Sequence, residues 1–238
     1  MAQLLYLDDP YLKEIDAQIV RAEGNKVVLD KTIFYPGGGG QPADTGTIFF
    51  EGKAVKVLGM EKADGEVFHV LESPLKEGTS VHCAIDWEKR YKYMRYHTAI
   101  HIIDGVMVKE HDAGLSTGGQ IFEDRARVDF DMPQLNRQLA EEIIAKANKV
   151  VEQGLSVKIR YLTKEEALKV ENLARTEPGR KLIESLDRVR IVDIEGLDFQ
   201  ADGGCHVANT KEVGKISLLG FENKGSHHKR IEIKLEGT

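Results

Sequence analysis

The sequence changes character near Asp86, and this change limits the possible folds more than any other feature. Before it, short runs rich in Val, Ile and Phe alternate with turns that contain Gly, Asn or Asp, which is typical of strands joined by tight connections. The predicted strands are 18–20, 26–29, 46–50, 54–58 and 67–71. They predict a small β-barrel or a folded sheet, and the pattern does not distinguish the two.

After Asp86 the apolar residues recur at helical spacing. Helices are predicted over 87–109, 134–153 and 164–173. Gly154 follows the second helix as a stop signal, and Thr163 with Glu166 forms a capping box at the start of the third. Further strands are predicted over 157–162, 189–194, 215–221 and 230–235.

The predicted fold class is therefore α+β. Residues 1–86 are expected to form a small β-barrel-like N-terminal domain. Residues 87–238 are expected to form an α+β domain, in which an antiparallel sheet packs with helices and carries a metal site. The length of 238 residues suits either one large domain or two small ones.

Composition excludes several classes of protein. The net charge of −6 excludes a generally basic nucleic-acid coat, although a local basic patch is still possible. With only two cysteines the chain cannot be a disulfide scaffold. Because no apolar run approaches the ~20 residues of a membrane span, and the first residues lack the positive charge of a signal peptide, we expect a cytoplasmic protein that does not bind membranes.

The sharpest local pattern is a pair of histidines, His97 and His101, on the first predicted helix. Residues four apart lie on the same helical face, where two imidazoles can share one zinc ion. Without a metal, the same pair would be two helix-surface or pocket histidines. Neither neighbour is a glutamate, which excludes the H-E-x-x-H pattern of metalloproteases.

A second candidate segment, Asp202-Gly-Gly-Cys205-His206, follows about a hundred residues later. Its glycine pair allows a tight fold, so that Asp202 and His206 can face one point. Alone, this segment is equally a plain turn with a small buried cysteine. Together with the helix pair, it offers three imidazoles and a carboxylate or thiolate, all of which zinc accepts.

Two further patterns are notable. Four consecutive glycines, 37–40, stand between an aromatic-Pro entry and a Gln41-Pro exit, and they match no phosphate-binding loop. Basic and aromatic residues interleave over 89–96 and recur, mostly as basic residues, over 224–234. Such mixtures suit RNA phosphates and unstacked bases, although a solvated helix face is the commoner explanation for any one residue.

Together these segments resemble the editing module of alanyl-tRNA synthetases and its freestanding relatives, the AlaX family of alanyl-tRNA editing proteins. The resemblance runs from about Thr32 to Lys234 through five segments in the family's order. These are the glycine-rich stretch 32–46, the helix stretch 86–101 with its two histidines, the strand 127–130, the second metal segment 203–214, and the closing basic stretch 222–232.

The resemblance implies a role for each matching position. His97, His101 and His206 match metal ligands at the catalytic centre, with one Zn²⁺ per chain expected. The fourth ligand position, usually a cysteine in the family, holds Asp202, whereas Cys205 stands where threonine is usual. A carboxylate is a harder and weaker zinc ligand than a thiolate. Asp202, Cys205 or water therefore all remain candidates for the fourth position.

Other roles implied by the resemblance concern the substrate. The stretch 116–121, expected to be a loop, matches the lining of the family's amino-acid pocket, where Thr117 would recognise a seryl hydroxyl. The implied substrate-binding residues are Thr117, Gln120, Gly39, Gly40 and Gln41. The expected tRNA contacts are Arg90, Arg95, Lys224, Lys229 and Arg230.

The activity implied is hydrolysis of mischarged tRNA(Ala), chiefly Ser-tRNA(Ala) and also Gly-tRNA(Ala), by a metal-dependent aminoacyl-tRNA deacylase. The metal either orients the substrate or activates water, and the sequence does not decide between these roles. Two alternatives stay open. One is a tRNA-binding module weakened in catalysis, suggested by Asp202. The other is a metallohydrolase of small esters or amides, suggested by the three imidazoles alone.

Overall fold

A computed structural model describes residues 2–111, 116–171, 173–174, 181, 183–225 and 227–237. The chain divides into two compact units, residues 1–91 and 92–238. The division falls inside the first long helix, whereas the change in sequence texture puts it just before that helix. The domain bounds 1–86 and 87–238 therefore stay a prediction from sequence.

The first unit contains eight strands in its described residues. They are β1 (Gln3–Leu4), β2 (Glu14–Glu23), β3 (Lys26–Leu29), β4 (Lys31–Thr32), β5 (Gly46–Phe50), β6 (Lys53–Ala63), β7 (Glu66–Leu71) and β8 (Ser80–Ile85). Six of them close a barrel in the order β2-β3-β7-β6-β5-β8. Of the two folds that the sequence left open, the structure forms the barrel, and the predicted α+β class is confirmed.

Strand β8, which the sequence patterns did not predict, closes this barrel because it pairs with both β2 and β5. Bulges after Ile19 in β2 and after Val57 in β6 help the sheet to curve. The interior is filled by aliphatic side chains that alternate inward along the strands. They include Ile19, Val27, Leu29, Ile48, Val57 and Leu71.

In its described residues, the second unit combines helices with two antiparallel sheets. Helix α1 (Trp87–His111) begins in the first unit and continues into the second, and it is followed by β9 (Ser116–Ile121), β10 (Ala126–Phe130), α2 (Arg137–Gln153), β11 (Val157–Thr163) and α3 (Lys164–Ala167). The remaining strands are β12 (Arg188–Ile194), β13 (Asp198–Ala201), β14 (Ile216–Asn223) and β15 (Lys229–Leu235).

The two sheets of this unit have different helical partners. The four-stranded sheet has the order β14-β15-β10-β9, and α2 packs against its β14 edge. There the Asn148 side chain donates to the carbonyl of Ile216 and accepts from its N–H, both at 2.8 Å. The three-stranded sheet has the order β11-β12-β13, and the short α3 contacts β11 and β12.

Two sequence expectations need correction in this unit. The helix predicted over 164–173 ends at Ala167, although the capping box of Thr163 and Glu166 is present. Beyond it, Leu173 joins the apolar cluster beside β12, and its carbonyl accepts from the N–H of Ala201, so the chain follows the sheet. The stretch 116–121 is the edge strand β9 and not a loop, because it pairs with β10 along its length.

No helix in the described residues combines the length and the apolar character that crossing a membrane would require.

Candidate metal centre

Helix α1 supplies the first half of the candidate site. His97 and His101 lie one helical turn apart, and their ring centroids are 5.3 Å from each other. Both are buried, with 3% and 4% of their surface exposed. The i, i+4 spacing therefore places both imidazoles on one interior face of the helix, as the sequence predicts.

The segment after β13 supplies the second half. The ring of His206 lies 4.3 Å from that of His97 and 4.6 Å from that of His101, measured between centroids. Asp202 joins them, and one potential ligand atom from each of the four residues lies within 4.8 Å of the others. The three histidines and Asp202 thus form a buried group that is consistent with a metal site.

Two distances within this group have the length expected around a metal ion. Nε2 of His97 lies 3.6 Å from Oδ2 of Asp202, and Nε2 of His206 lies 3.3 Å from Oδ1 of the same carboxylate. Ligand atoms about 2.0–2.2 Å from one zinc ion would be about 3.3–3.6 Å apart. Cys205, although buried, is not a member of the group. The three imidazoles and the carboxylate are therefore consistent with a site for a divalent metal.

Contacts outside the group orient two of the imidazoles. Nδ1 of His101 lies 2.9 Å from Oδ2 of Asp198, and Nδ1 of His206 lies 3.2 Å from the hydroxyl oxygen of Thr98. With Nδ1 engaged in this way, Nε2 is the nitrogen available to the group in each ring. Metal-binding histidines are oriented by such hydrogen bonds in many proteins.

Backbone contacts fix the segment that carries Asp202. The Gly204 N–H donates to Oδ1 of Asp202. The guanidinium of Arg190 donates to the Asp202 carbonyl at 2.7 Å, and the Asp202 N–H donates back to the Arg190 carbonyl at 3.2 Å. These bonds anchor the turn to β12.

Burial and neighbouring charges determine the protonation of the group. Burial lowers the pKa of His97 to about 4, and burial with the neighbouring histidines lowers the pKa of His206 well below its usual value. Burial would raise the pKa of Asp202, but the histidines around it hold that pKa well below the usual value. Burial would lower the pKa of His101, but Asp198 raises it overall.

The protonation of these side chains is compatible with a bound cation. Metal binding requires neutral imidazoles. The Asp202 carboxylate, which stands among the three histidines, would then have a divalent cation as a partner of opposite sign.

Comparison with known proteins identifies the family. Residues 6–89 match the family described as "tRNA synthetases class II (A)", and residues 189–232 match "Threonyl and Alanyl tRNA synthetase second additional domain". The alanyl-tRNA editing protein AlaX-M of Saccharolobus solfataricus is 42% identical over 235 residues, covering 97% of this chain and 98% of the relative. The chain belongs to the AlaX-M family.

Other relatives agree with this membership. The alanyl-tRNA editing protein AlaX-M of Methanosarcina barkeri is 37% identical over 99% of both chains. The alanine–tRNA ligase of Pyrococcus furiosus is 37% identical over 226 residues, which cover 92% of this chain but 24% of the ligase. The resemblance to the alanyl-tRNA editing family stated from the sequence is therefore confirmed.

The glycine-rich stretch forms a tight turn in the first unit. Gly38 and Gln41 pair through two backbone hydrogen bonds of 3.1 and 2.9 Å, and Gly39 and Gly40 form the tip. Both tip residues have positive φ, 57° and 81°, which glycine adopts without steric cost. Gln41 is buried, whereas Gly39 is exposed. Their role in substrate binding stays a prediction.

Thr117 and Gln120 lie on β9 in the second unit. Thr117 is exposed and Gln120 is half-buried, with its side-chain amide donating to the Ile121 carbonyl at 3.3 Å. A Cβ added at Gly119 would lie in ordinary contact with Ile100, which directly precedes His101 on α1. The strand therefore approaches helix α1 at Ile100, and the roles of Thr117 and Gln120 stay predictions.

Three of the five residues predicted to contact tRNA instead form hydrogen bonds within the protein. Arg90 is 1% exposed and bonds to the Asp44 carboxylate and to two backbone carbonyls of the first unit. Arg95 donates to the carbonyls of Val213, Glu236 and Gly237. Lys229 is 4% exposed and donates to the Asn223 side chain at 2.6 Å. These positions give no support to RNA contacts, because the donors already serve protein acceptors.

The other two predicted contacts lie on β15 and on the turn before it. Arg230 donates two hydrogen bonds of 2.7 and 2.9 Å to the Asp129 carboxylate. Lys224 is exposed and lies beside Glu222. Tyr93 and Tyr96, which the sequence suggested as stacking residues, are buried and belong to the core. Among the five predicted residues, Lys224 has the most accessible charge.

The sequence interpretation missed the residues that support the metal group. Asp198, Gln200, Thr98 and Arg190 were not singled out. One signal was present, since Asp198 and Gln200 lie two apart on a strand, where such residues share a face, and Asp202 follows at the same interval just beyond it. Neither segment alone predicts that β13 lies against α1.

Proposed function

We propose that this protein removes the wrong amino acid from mischarged tRNA(Ala), chiefly Ser-tRNA(Ala) and also Gly-tRNA(Ala). The observation that carries the proposal is a buried group of three histidines and Asp202 in a chain 42% identical, over nearly its whole length, to an AlaX-M editing protein. The expectation that the chain is a hydrolase of the deacylase type is confirmed by its membership of this family.

The proposed reaction is hydrolysis of the aminoacyl ester. Water adds to the ester carbonyl, the bond from the carbonyl carbon to the terminal ribose oxygen breaks, and that oxygen takes a proton. The products are a free amino acid and an uncharged tRNA. No redox cofactor or nucleotide is consumed, so the reaction proceeds without ATP.

We propose zinc as the metal, held by His97, His101, His206 and Asp202. When bound, zinc supplies Lewis-acid polarisation of the ester carbonyl or a water molecule of lowered pKa. The protein residues hold this centre: Asp198 and Thr98 orient two of the imidazoles, and Arg190 anchors the turn that carries Asp202.

Substrate selection is assigned to the residues that the resemblance indicated. In this proposal Thr117, exposed on β9, hydrogen-bonds a seryl hydroxyl. A site built around such a bond disfavours alanine, because its methyl group would leave the polar group unpaired, whereas beside the smaller glycine a water molecule has room to take that bond. Gln120 in the second unit, and Gly39, Gly40 and Gln41 in the first unit, are the other residues that the resemblance assigns to substrate binding.

Binding of tRNA is assigned to the exposed surface around Lys224, whose charge is the most accessible among the five predicted residues. Phosphate contacts release counterions, so affinity for uncharged tRNA(Ala) should fall steeply as salt rises. An affinity independent of salt would exclude phosphate contacts as its main source. The proposal includes the cytoplasmic location expected from the sequence, because aminoacyl-tRNA is the proposed substrate.

The test is deacylation of Ser-, Gly- and Ala-tRNA(Ala) side by side by the zinc-loaded protein. We expect rapid release of serine, measurable release of glycine and little release of alanine. His97→Ala should lose both zinc and activity. His82→Ala is the matched control, because His82 lies on the barrel surface beside Asp16 and should leave both unchanged.

Two results would redirect the assignment. Tight binding of Ser-tRNA(Ala) without turnover would favour a tRNA-binding module, the role suggested by a carboxylate in the fourth ligand position. Hydrolysis of small esters without activity on any aminoacyl-tRNA would favour a general metallohydrolase. Full activity of the metal-free protein would contradict the proposed centre altogether.

A further inference from the structure

We propose that Asp198 is a positioning residue, which presents His101 to the metal in one tautomer and one orientation, with Gln200 holding Asp198 in turn. This inference rests on the metal centre of the proposed function. It assigns a role to two residues that do not contact the metal themselves.

The contact between Asp198 and His101 determines which ring nitrogen can bind. Oδ2 of Asp198 lies 2.9 Å from Nδ1 of His101, and the Asp198 side chain has no exposed surface. A carboxylate only accepts hydrogen bonds, so Nδ1 carries the proton. Nε2 then keeps its lone pair, and this is the nitrogen that can join His97, His206 and Asp202.

Gln200 holds the carboxylate through a second hydrogen bond. Its Nε2 donates to the same Oδ2 of Asp198 at 2.7 Å, and its own side chain is buried. Asp198 and Gln200 are two apart on β13, and Asp202 follows two residues later. One face of this strand and its continuation therefore carries both the support for His101 and the carboxylate of the metal group.

A close approach between α1 and the turn before β13 makes this contact possible. Gly105 lies one helical turn after His101, and a Cβ added there would lie 2.8 Å from Cγ of Leu197 and 3.2 Å from Cβ of Asp198. A side chain at residue 105 would push the turn away from the helix. The Lys109 ammonium, one turn further on, donates to the Gly196 carbonyl and ties the same turn to α1.

The first experiment measures metal affinity by competition with a chelator, using zinc alone and cobalt alone. Asp198→Ala should bind either ion about 10- to 100-fold more weakly, the usual loss when such a support is removed. Asp198→Asn keeps an oxygen that can accept from Nδ1, so we expect a smaller loss. Partial rescue by Asn would separate orientation from a mere defect in folding.

The second experiment needs no metal and no activity. Nitrogen-15 NMR of the metal-free wild type should show His101 as the neutral tautomer with its proton on Nδ1 at pH values where the ring is uncharged. Asp198→Ala should give a mixture of tautomers or the opposite one. An unchanged tautomer, together with an unchanged metal affinity, would overturn the proposal.

Controls keep this proposal separate from the proposed function. Asp129 is a largely buried carboxylate of the same unit that bonds to Arg230 and contacts none of the four ligands, so Asp129→Asn should leave metal affinity unchanged. If Asp198→Ala fails to fold, Gln200→Leu removes only the supporting donor and should still weaken binding. If the wild type binds no metal, the proposed centre fails, whereas equal affinities of wild type and variants refute the positioning role alone.

Discussion

A Cβ placed on Gly204 would lie 2.4 Å from Nδ1 and 2.3 Å from Cε1 of His97. The backbone at residue 204 therefore fills the space along one edge of this imidazole, and the ring has no room to move in that direction. The absence of a side chain at Gly204 is what allows the turn after β13 to close against α1. The neighbouring Gly203 has open space where a Cβ would stand.

The first prediction compares these two glycines. Gly204→Ala should displace His97 or the turn that carries Asp202, and should reduce zinc affinity at least tenfold, with a matching loss of deacylation. Gly203→Ala should leave both nearly unchanged. Zinc content and chelator competition measure the effect, and equal behaviour of the two variants would show that the contact has no importance for the site.

Much of the fold could be predicted from the sequence, because local signals determined it. Strand β3 and strand β5 have the predicted bounds, and Asn136 caps α2 just after its predicted start. Strand β8 was missed, although Val81, Cys83 and Ile85 alternate as a half-buried strand requires. Closure of a barrel depends on pairing between distant strands, which no local pattern reports.

In the candidate site, too, local sequence signals predict some of the contacts and not others. The spacing of His97 and His101 is a local helical signal, so their common face could be predicted. The meeting of His206 with them was suggested by the ligand types of the two segments and by the family resemblance, since no local pattern joins segments a hundred residues apart. The contact of Asp198 with His101 spans 97 positions, and no short pattern joins the two. The burial of Arg90 was missed because a basic residue beside tyrosines is typical of a surface.

The second prediction concerns the buried pair of Arg90 and Asp44. Arg90 Nε lies 2.9 and 3.0 Å from the two carboxylate oxygens, and its other nitrogens donate to the carbonyls of Pro10 and Ile33. Removing one partner of a buried pair leaves an uncompensated charge and costs about 3–5 kcal/mol. We expect Arg90→Leu to lower the free energy of unfolding by that amount in urea titrations.

The control for this pair is an exposed one. Arg137 contacts Glu141 with both side chains largely in solvent, so Arg137→Leu should change the free energy of unfolding by less than about 1 kcal/mol. Arg90→Lys keeps the charge but loses the planar set of donors, and should fall between the two. A loss for Arg90→Leu no larger than that for Arg137→Leu would contradict a structural role for Arg90.

The third prediction concerns pH and His69 in the barrel interior. This imidazole contacts the Thr32 hydroxyl at 2.8 Å and the Val27 carbonyl at 3.2 Å, and burial lowers its pKa to about 4 from an ordinary 6.5. Below pH 6.5 the unfolded chain binds a proton that the native state does not. The barrel should therefore lose stability as the pH falls from about 6.5 to 4, by up to about 3 kcal/mol from this group.

Urea unfolding of wild type and His69→Gln at several pH values measures how much His69 contributes to the pH dependence of stability. The variant keeps the acid sensitivity that arises from other groups, so the difference between the two proteins should shrink as the pH falls. For His82→Gln the difference in the free energy of unfolding from wild type should grow as the pH falls, because Asp16 raises the pKa of His82 on the surface. Parallel curves for wild type and His69→Gln would mean that His69 titrates equally in both states.

The last prediction tests which atom completes the metal group. Asp202→Cys replaces a carboxylate oxygen by a softer thiolate, and the longer zinc–sulfur bond of about 2.3 Å partly offsets the shorter side chain. We expect tighter zinc binding and, with cobalt, a near-ultraviolet thiolate-to-metal absorption that the wild type lacks. Cys205→Ser should leave metal binding by the wild type unchanged, because Cys205 lies outside the group of four. If instead the wild-type cobalt protein shows thiolate absorption and Cys205→Ser removes it, Cys205 is the ligand and the assignment of Asp202 is wrong.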